Sequence, residues 1–337
     1  MSRGILVPTV WLALLHVAVI GADFFAPYDY TLQNRSMPFA PPTRVHFVDP
    51  DSRFPSRPFV CQWTPATGGA TYVEDCGRKF PIHFLVTGSP YHVASLLEFR
   101  RRLFGVQTPG VVYLMGSDDY GRDQLSRFLH GGRVSLFAGL LACGISLGIG
   151  LLLGAAAGFY RGRLDGLIMG AAELSLALPW LYLLLAARAI LPLNTDPSSA
   201  FLLIVALVGI VGWARPARLI RGTVLSARER EYVVVSRGLG ASDWHLLRRH
   251  VLPQLRGLLV TQASLLIPRY ILAEVTLSFL GLGVNEPAAS WGNMLSILQR
   301  YHVLVSYNWM FFPALLLVPT FLSYLALTAA CTSNNQS

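Results

Sequence analysis

Few side chains in this chain stand at spacings that could do chemistry. His245 and His250 are five residues apart, not the four that place two imidazoles on one helical face for zinc, and no H-E-x-x-H occurs. Asp118, Asp119 and Asp123 have an acidic spacing that raises calcium. Asp123, however, opens an amphipathic run with Leu125, Phe128 and Leu129 on one side, so these carboxylates read as helix N-terminal caps. Ser89, between Gly88 and Pro90, lacks the setting of a nucleophile elbow. Neither a catalytic residue nor a metal site follows from these groups. The one lysine is Lys79, so no G-x-x-x-x-G-K-[ST] loop exists and the chain does not itself bind ATP through one.

Arg269 and Glu274, within LLIPRYILAEVTLSFLGLG, are a different matter because they interrupt an apolar run. An arginine at the centre of a membrane span costs about 2.5–3.5 kcal/mol on insertion scales, so Arg269 should face a polar path or a partner. Glu274 lies about 140° around the helix from it and is a poor intrahelical partner. Both are candidates for lining a pathway. The alternative is that Arg269 snorkels or meets a neighbouring subunit, while Glu274 bonds to backbone or water near a kink after Pro268.

Those groups must be held by membrane helices. Of 337 residues, 53% are hydrophobic and 13% charged, against about a quarter charged in soluble domains. The formal charge of +9 would point to nucleic acid in a soluble protein, but in a polytopic one cytoplasmic loops collect arginine, and the expected partner is the lipid bilayer rather than nucleic acid. Gly144, Gly148, Gly150, Gly154 and Gly158 lie inside an apolar run with no preceding strand, and read as small residues that let helices approach closely.

The fold class expected is an all-α polytopic membrane protein with about six spans: Ile5 to Ala22, Val134 to Phe159, Leu167 to Leu191, Ala200 to Trp213, Leu258 to Leu282 and Trp309 to Ala330. Residues 1–22 form an N-terminal anchor. Residues 23–132 form an extracytoplasmic insert of short strands and turns ending in an amphipathic lead-in helix, and residues 133–337 form the main transmembrane domain. Arginines at 161 and 163, and from 215 to 256, put those loops in the cytoplasm and the insert outside. In an oxidising compartment Cys61 and Cys76 of the insert close a loop worth roughly 3 kcal/mol, a bridge favoured over two free thiols. Cys143 and Cys331 pack in or near apolar segments.

The cytoplasmic loop 214–257 contains RGLGASDWHLLRRHVLPQL, from Arg237 to Leu255. Gly240 breaks one helix, Ser242 caps a second short helix, and Pro253 ends it. Within that helix Trp244, Leu247 and Val251 share a face, while His245 and Arg249 point elsewhere.

Gly240, followed at a fixed distance by His250, Leu252 and Pro253, resembles the cytoplasmic coupling loop, the EAA loop, of permease subunits in binding-protein-dependent ABC importers. GSDDYGRDQLSRFLHGGRVSL, ARPARLIRGTVLSAREREYV, LALPWL and LSFLGLGVNEPAASWGNML, in that family's order, are similar to the C-type permease subunit of dipeptide and oligopeptide importers. The resemblance implies a multi-pass permease of the bacterial inner membrane that translocates peptides or similar small solutes and breaks no bonds itself. Its implied partners are a homologous permease, two cytoplasmic ABC ATPases that bind the ATP and Mg, and an extracytoplasmic solute-binding protein. It also implies that the helix from Ser242 to Leu252 sits in a cleft of the ATPase, with Glu231 and Arg237 bracketing the preceding helix. The chain departs from the family at Val234, Val235 and Ser236, where Glu-Ala-Ala is usual, at Arg269, and in its longer insert. Two other classes compete with transport: a sensor or scaffold with a non-ATPase partner, and a membrane-embedded enzyme built on Arg269, Glu274, His83 and His92.

Overall fold

The computed structural model describes residues 3–48, 55–66, 71–93, 97–190 and 196–334. The chain forms two compact units: Met1–Leu12 with Ser135–Gly283 and Pro319–Ser337, and Ala13–Val134 with Val284–Val318. Each is built around its own set of contacts.

The first unit is helical. It takes the first part of helix α1 (Arg3–Ile20), which is followed in the chain by the short α2 (Ala22–Phe25) of the second unit, then α3 (Gln124–Tyr160) from Ser135 on, α4 (Gly162–Ala177), α5 (Trp180–Ile190), α6 (Pro197–Val211) and α7 (Ala214–Arg228). Among the described residues three helical stretches are long and apolar enough to cross a membrane: 124–160, 243–279 and 308–330. The count reaches five if α4 with α5, and α6 with α7, are each one bent span. The first expected span is a shorter apolar helix over Ile5–Ile20, below the roughly 20 residues a bilayer asks for.

The expected span from Leu167 to Leu191 is not one helix. Pro179 lacks an N–H and pushes Leu178 into extended backbone (φ −80°, ψ 136°), so α4 and α5 meet at 90°. Of the polar turn expected from Pro192 to Ser199, residues 192–195 lie outside the described residues; Asp196 caps α6, its side chain accepting from the Ser199 N–H at 3.0 Å. The glycine run of α3 splits in use. A Cβ on Gly154 would meet the Ala217 carbonyl oxygen at 2.5 Å and one on Gly158 that of Arg221 at 2.8 Å, whereas Gly144 and Gly148 have nothing within 4 Å. So the second half of the run lets α3 lie against α7.

The second unit carries the strands expected of residues 23–132, so all-α describes the helical unit alone. Strands β1 (Val45–Val48), β2 (Pro55–Pro65) and β3 (Tyr72–Pro81) form an antiparallel sheet in that order, and β4 (His83–Val93) pairs with β5 (Leu97–Gly105); β2 to β5 are longer than the short strands expected. Runs rich in Phe, Val, Tyr and Thr favour strand wherever one face can be covered. Met37, Ala40, Trp63 and Tyr113 form the buried cluster here. Cys61 and Cys76 are joined by a disulfide between β2 and β3, at the point where their register shifts. Cys143, in α3, is free and buried; the side chain of Cys331 lies outside the described residues. Arg102 on β5 is buried and donates to the Ala26 carbonyl (3.0 Å) and to Ser89 Oγ (2.7 Å). Ser89 is thus a structural acceptor.

Candidate functional site

The segment that follows α7 is helical almost throughout. Helix α8 (Glu231–Gly238) ends in a turn where Gly240 takes φ +88°, a left-handed conformation that a residue with a Cβ adopts only at a cost. Glu231 stands in the first turn of α8 and Arg237 in the last, each matched in sign to the helix dipole. Arg237 reaches Asp243 Oδ1 at 3.5 Å and lies 5.3 Å from the centroid of the Phe159 ring. Ser242 caps α9 (Asp243–Leu246), its hydroxyl accepting from the His245 N–H at 3.3 Å.

Pro253 does not end the helix. Leu247–Val251 forms a π turn and Leu252–Leu255 a 3-10 turn, and the chain runs directly into α10 (Arg256–Phe279). A missing N–H can be absorbed by widening the preceding turn instead of stopping the helix. The wider turn also changes which side chains share a face. The buried set is Leu246, Val251 and Leu255, spaced five and four, and Trp244 is 67% exposed on the other side. The expected face of Trp244, Leu247 and Val251 is therefore corrected: Leu247 is only partly buried and Trp244 points out. The same turn brings His245 and His250 edge to face at 5.8 Å, with Tyr232 at 5.7 Å from His250.

Leu246, Val251 and Leu255 pack with Ile220, Val224 and Ala227 of α7, Val233 of α8, and Ala155 and Phe159 at the end of α3. This core fixes the segment to the end of a long helix. Its other side is open: Leu239 is 85% exposed, Val234 and Val235 more than half, and Arg248 and Arg249 are exposed beside Trp244 in a shallow concavity. Leu252 is partly buried and Pro253 exposed. Of the positions where the chain departs from Glu-Ala-Ala, Val234 and Val235 are at the surface and add apolar area, and Ser236 is partly buried. Leu239 and Arg248 join that surface without having been singled out from the sequence; both follow from the π turn and the glycine turn.

Arg269 and Glu274 both sit on α10, and they do not meet. Glu274 is buried and accepts from Ser278 Oγ at 2.7 Å. Arg269 lies over Trp180, 5.2 Å from the ring centroid, in a pocket that Arg215 also lines.

The second unit holds the densest charge. Asp118 Oδ2 accepts from Arg122 Nε at 2.7 Å, and Glu286 accepts from Arg122 Nη1 at 2.6 Å and from Arg127 Nη2 at 2.8 Å. Arg300 reaches Asp119 at 3.1 Å. Asp123 precedes α3 and accepts from the Ser126 N–H (2.8 Å) and hydroxyl (2.6 Å) as a cap. Complete burial pushes its carboxyl up to about 7 despite those bonds. Around the disulfide, His46, Glu74, Cys61 and Cys76 place ligand-type atoms within 4.8 Å of one another. With both sulfurs bonded, the cluster has only the imidazole and carboxylate to offer, and these pair at 2.8 Å. His83 stands on β4, and the side chain of His92 lies outside the described residues.

Residues 150–332 match the family described as binding-protein-dependent transport system inner membrane component. The chain is 38% identical over 207 residues to the oligopeptide transport system permease protein OppC of Bacillus subtilis (strain 168), covering 61% of this chain and 65% of that protein. It is 36% identical over 208 residues to the dipeptide transport system permease protein DppC of the same strain, covering 61% and 62%. Against the glutathione transport system permease protein GsiD of Pectobacterium atrosepticum it is 34% identical over 235 residues, covering 70% and 75%. The chain thus spans a little under two thirds of the two Bacillus relatives. None of these likenesses supports a sensor, a scaffold or an enzyme.

Proposed function

Because the chain belongs to the family of binding-protein-dependent transport system inner membrane components, we propose that it is one of two membrane-spanning subunits of an ABC importer for peptides. Its pathway is completed by a homologous permease. Two cytoplasmic ATPases bind the ATP and Mg, and an extracytoplasmic binding protein delivers the solute. In the inner membrane the loop 214–257 faces the cytoplasm and the strand-rich insert faces outside.

One observation carries this reading: the segment after α7 is anchored by Leu246, Val251 and Leu255 yet holds Trp244, Leu239, Val234 and Val235 in the open. A knob so packed moves as a body with the helices behind it, and its exposed apolar side chains are the kind that fill a partner's cleft. Nucleotide state in the ATPases then biases the membrane helices between two arrangements. The Val234–Val235 pair supplies by apolar contact what a carboxylate supplies in the usual motif.

Trp244→Ala tests this in the complete transporter reconstituted in vesicles. Peptide uptake should fall about tenfold or more while the subunit still inserts and ATP hydrolysis persists. Uptake that keeps its normal ratio to hydrolysis would sink the assignment of this surface to coupling.

A further inference from the structure

The broken helices of the first unit surround two arginines with no acid beside them. A pocket of about 240 Å³ lies between the α4–α5 break, the 43° bend from α6 to α7 and the middle of α10. Trp180, Arg215 and Arg269 line it, no carboxylate is among its lining residues, and among the described residues neither arginine forms an ion pair. Elsewhere in the same unit arginines do find acids: Arg221 pairs with Asp165 and Arg161 with Glu229. Arg269 lies within an apolar helix, where a charge is costly, and Arg215 is exposed at the start of α7.

Local packing explains why Arg269 reaches this pocket. At Gly212 a Cβ would stand 2.0 Å from the Tyr270 hydroxyl, so glycine is what lets α10 approach the α6–α7 bend. Tyr270 is buried there and donates to Ser146 Oγ at 2.7 Å. Held inward, Tyr270 leaves its neighbour Arg269 to extend sideways over Trp180. At 5.2 Å from the indole centroid the guanidinium is within cation–π range, and its planar fork of N–H donors suits a planar, bidentate acceptor. Leu178, Pro179 and Trp180, where α5 begins, line the same pocket, and a helix start adds potential of the same sign.

We propose that Arg269 and Arg215 form a carboxylate site in the translocation path, taking the terminal carboxylate of a peptide in transit; this rests on the peptide-importer reading above. The carboxylate is the anionic group every linear peptide carries whatever its sequence. A pocket of this volume is smaller than the roughly 300–1,000 Å³ that encloses a whole small ligand, so it receives one end of the chain. Trp180 is a positioning residue, and the leucine and valine side chains of the remaining wall are indifferent to the peptide's own side chains.

The test uses the complete transporter in vesicles with trialanine and trialanine amide as probes. In Arg269→Gln the ratio of free-acid to amide uptake should fall about tenfold, equivalent to about 1.4 kcal/mol, with partial recovery in Arg269→Lys and a smaller fall in Arg215→Gln. An unchanged ratio in Arg269→Gln overturns the carboxylate site and leaves the peptide reading standing. Insertion is not at risk, since the substitution removes a charge from a span. Should the wild type take up neither probe, the peptide reading fails and the site is decided by binding. Trialanine then either quenches the fluorescence component lost in Trp180→Phe, in an Arg269-dependent way, and keeps the site, or leaves it unchanged and removes it.

Discussion

At the start of α3 the arginines are buried and matched, and along the coupling segment they lie in the open. Arg122 and Arg127 are 4% and 2% exposed and share Asp118 and Glu286. Arg248 and Arg249 are exposed beside Trp244. Both regions use a helix cap, a turn glycine and clustered arginine, and what differs is where the charges are satisfied. Charges completed inside one unit hold a shape, whereas charges left at a surface already anchored by an apolar core await something that arrives later.

The strongest way to break this contrast is to remove one arginine from each region. Arg122→Ala takes from buried Asp118 its partner at 2.7 Å, leaving it only Arg127 at 3.5 Å, and takes away one of the two guanidinium partners of Glu286. Breaking a buried pair in this way costs about 3–5 kcal/mol. Arg249→Ala removes an exposed charge and should stay within about 0.5 kcal/mol. Thermal unfolding of the solubilised protein separates the two, and equal shifts would mean that the buried network holds nothing that the open surface does not. In vesicles the order should reverse among folded molecules, with Arg249→Ala lowering uptake.

A second contrast is between the two caps. Asp123 is pushed up to about 7 by burial, while an unfolded aspartate titrates near 3.9. Between about pH 4 and 7 the folded chain therefore keeps a proton that the unfolded chain releases, so stability is greatest at the acid end of that window and falls as pH rises through it. Asp123→Asn keeps an oxygen for the Ser126 donors and cannot ionise. Its thermal midpoint should gain on the wild type as pH is raised from 5 to 8; a constant difference across that range would show that the carboxyl does not hold its proton.

Much of this arrangement was legible in the sequence. The apolar runs marked the membrane helices, Gly240 and Ser242 marked the turn and the cap, and Asp123 marked the start of α3. What escaped has physical causes. Reading the coupling segment at a strict α-helical period put Trp244 beside Val251, because nothing local reveals that a proline will be absorbed by a π turn. The break at Leu178–Pro179 was written in the proline itself and was hidden by the length of the apolar run around it. Glu286 could not be joined to Arg122 and Arg127 from sequence, since 164 and 159 residues separate them. The strands of the insert were expected short because its frequent prolines read as turns, and β2 instead begins and ends on proline.

The smallest expected effect sharpens the comparison most directly, because it separates local geometry from partner contact. Gly240 has φ +88°, and a Cβ added there would meet nothing within 4 Å, so Gly240→Ala brings no clash and its cost is that of the left-handed backbone alone, about 1–2 kcal/mol. Ser242→Ala removes a cap whose hydrogen bond is already long at 3.3 Å and should cost about 0.5–1 kcal/mol. Both changes fall in a turn outside the buried set of Leu246, Val251 and Leu255, so neither should disturb the charged network at the start of α3. Hydrogen exchange should register faster opening of 239–246 in both variants, with protection in the first turns of α3 unchanged. Slower uptake in proportion to that opening would tie coupling to the set of the turn, and loss of protection at α3 as well would mean that the two regions open together.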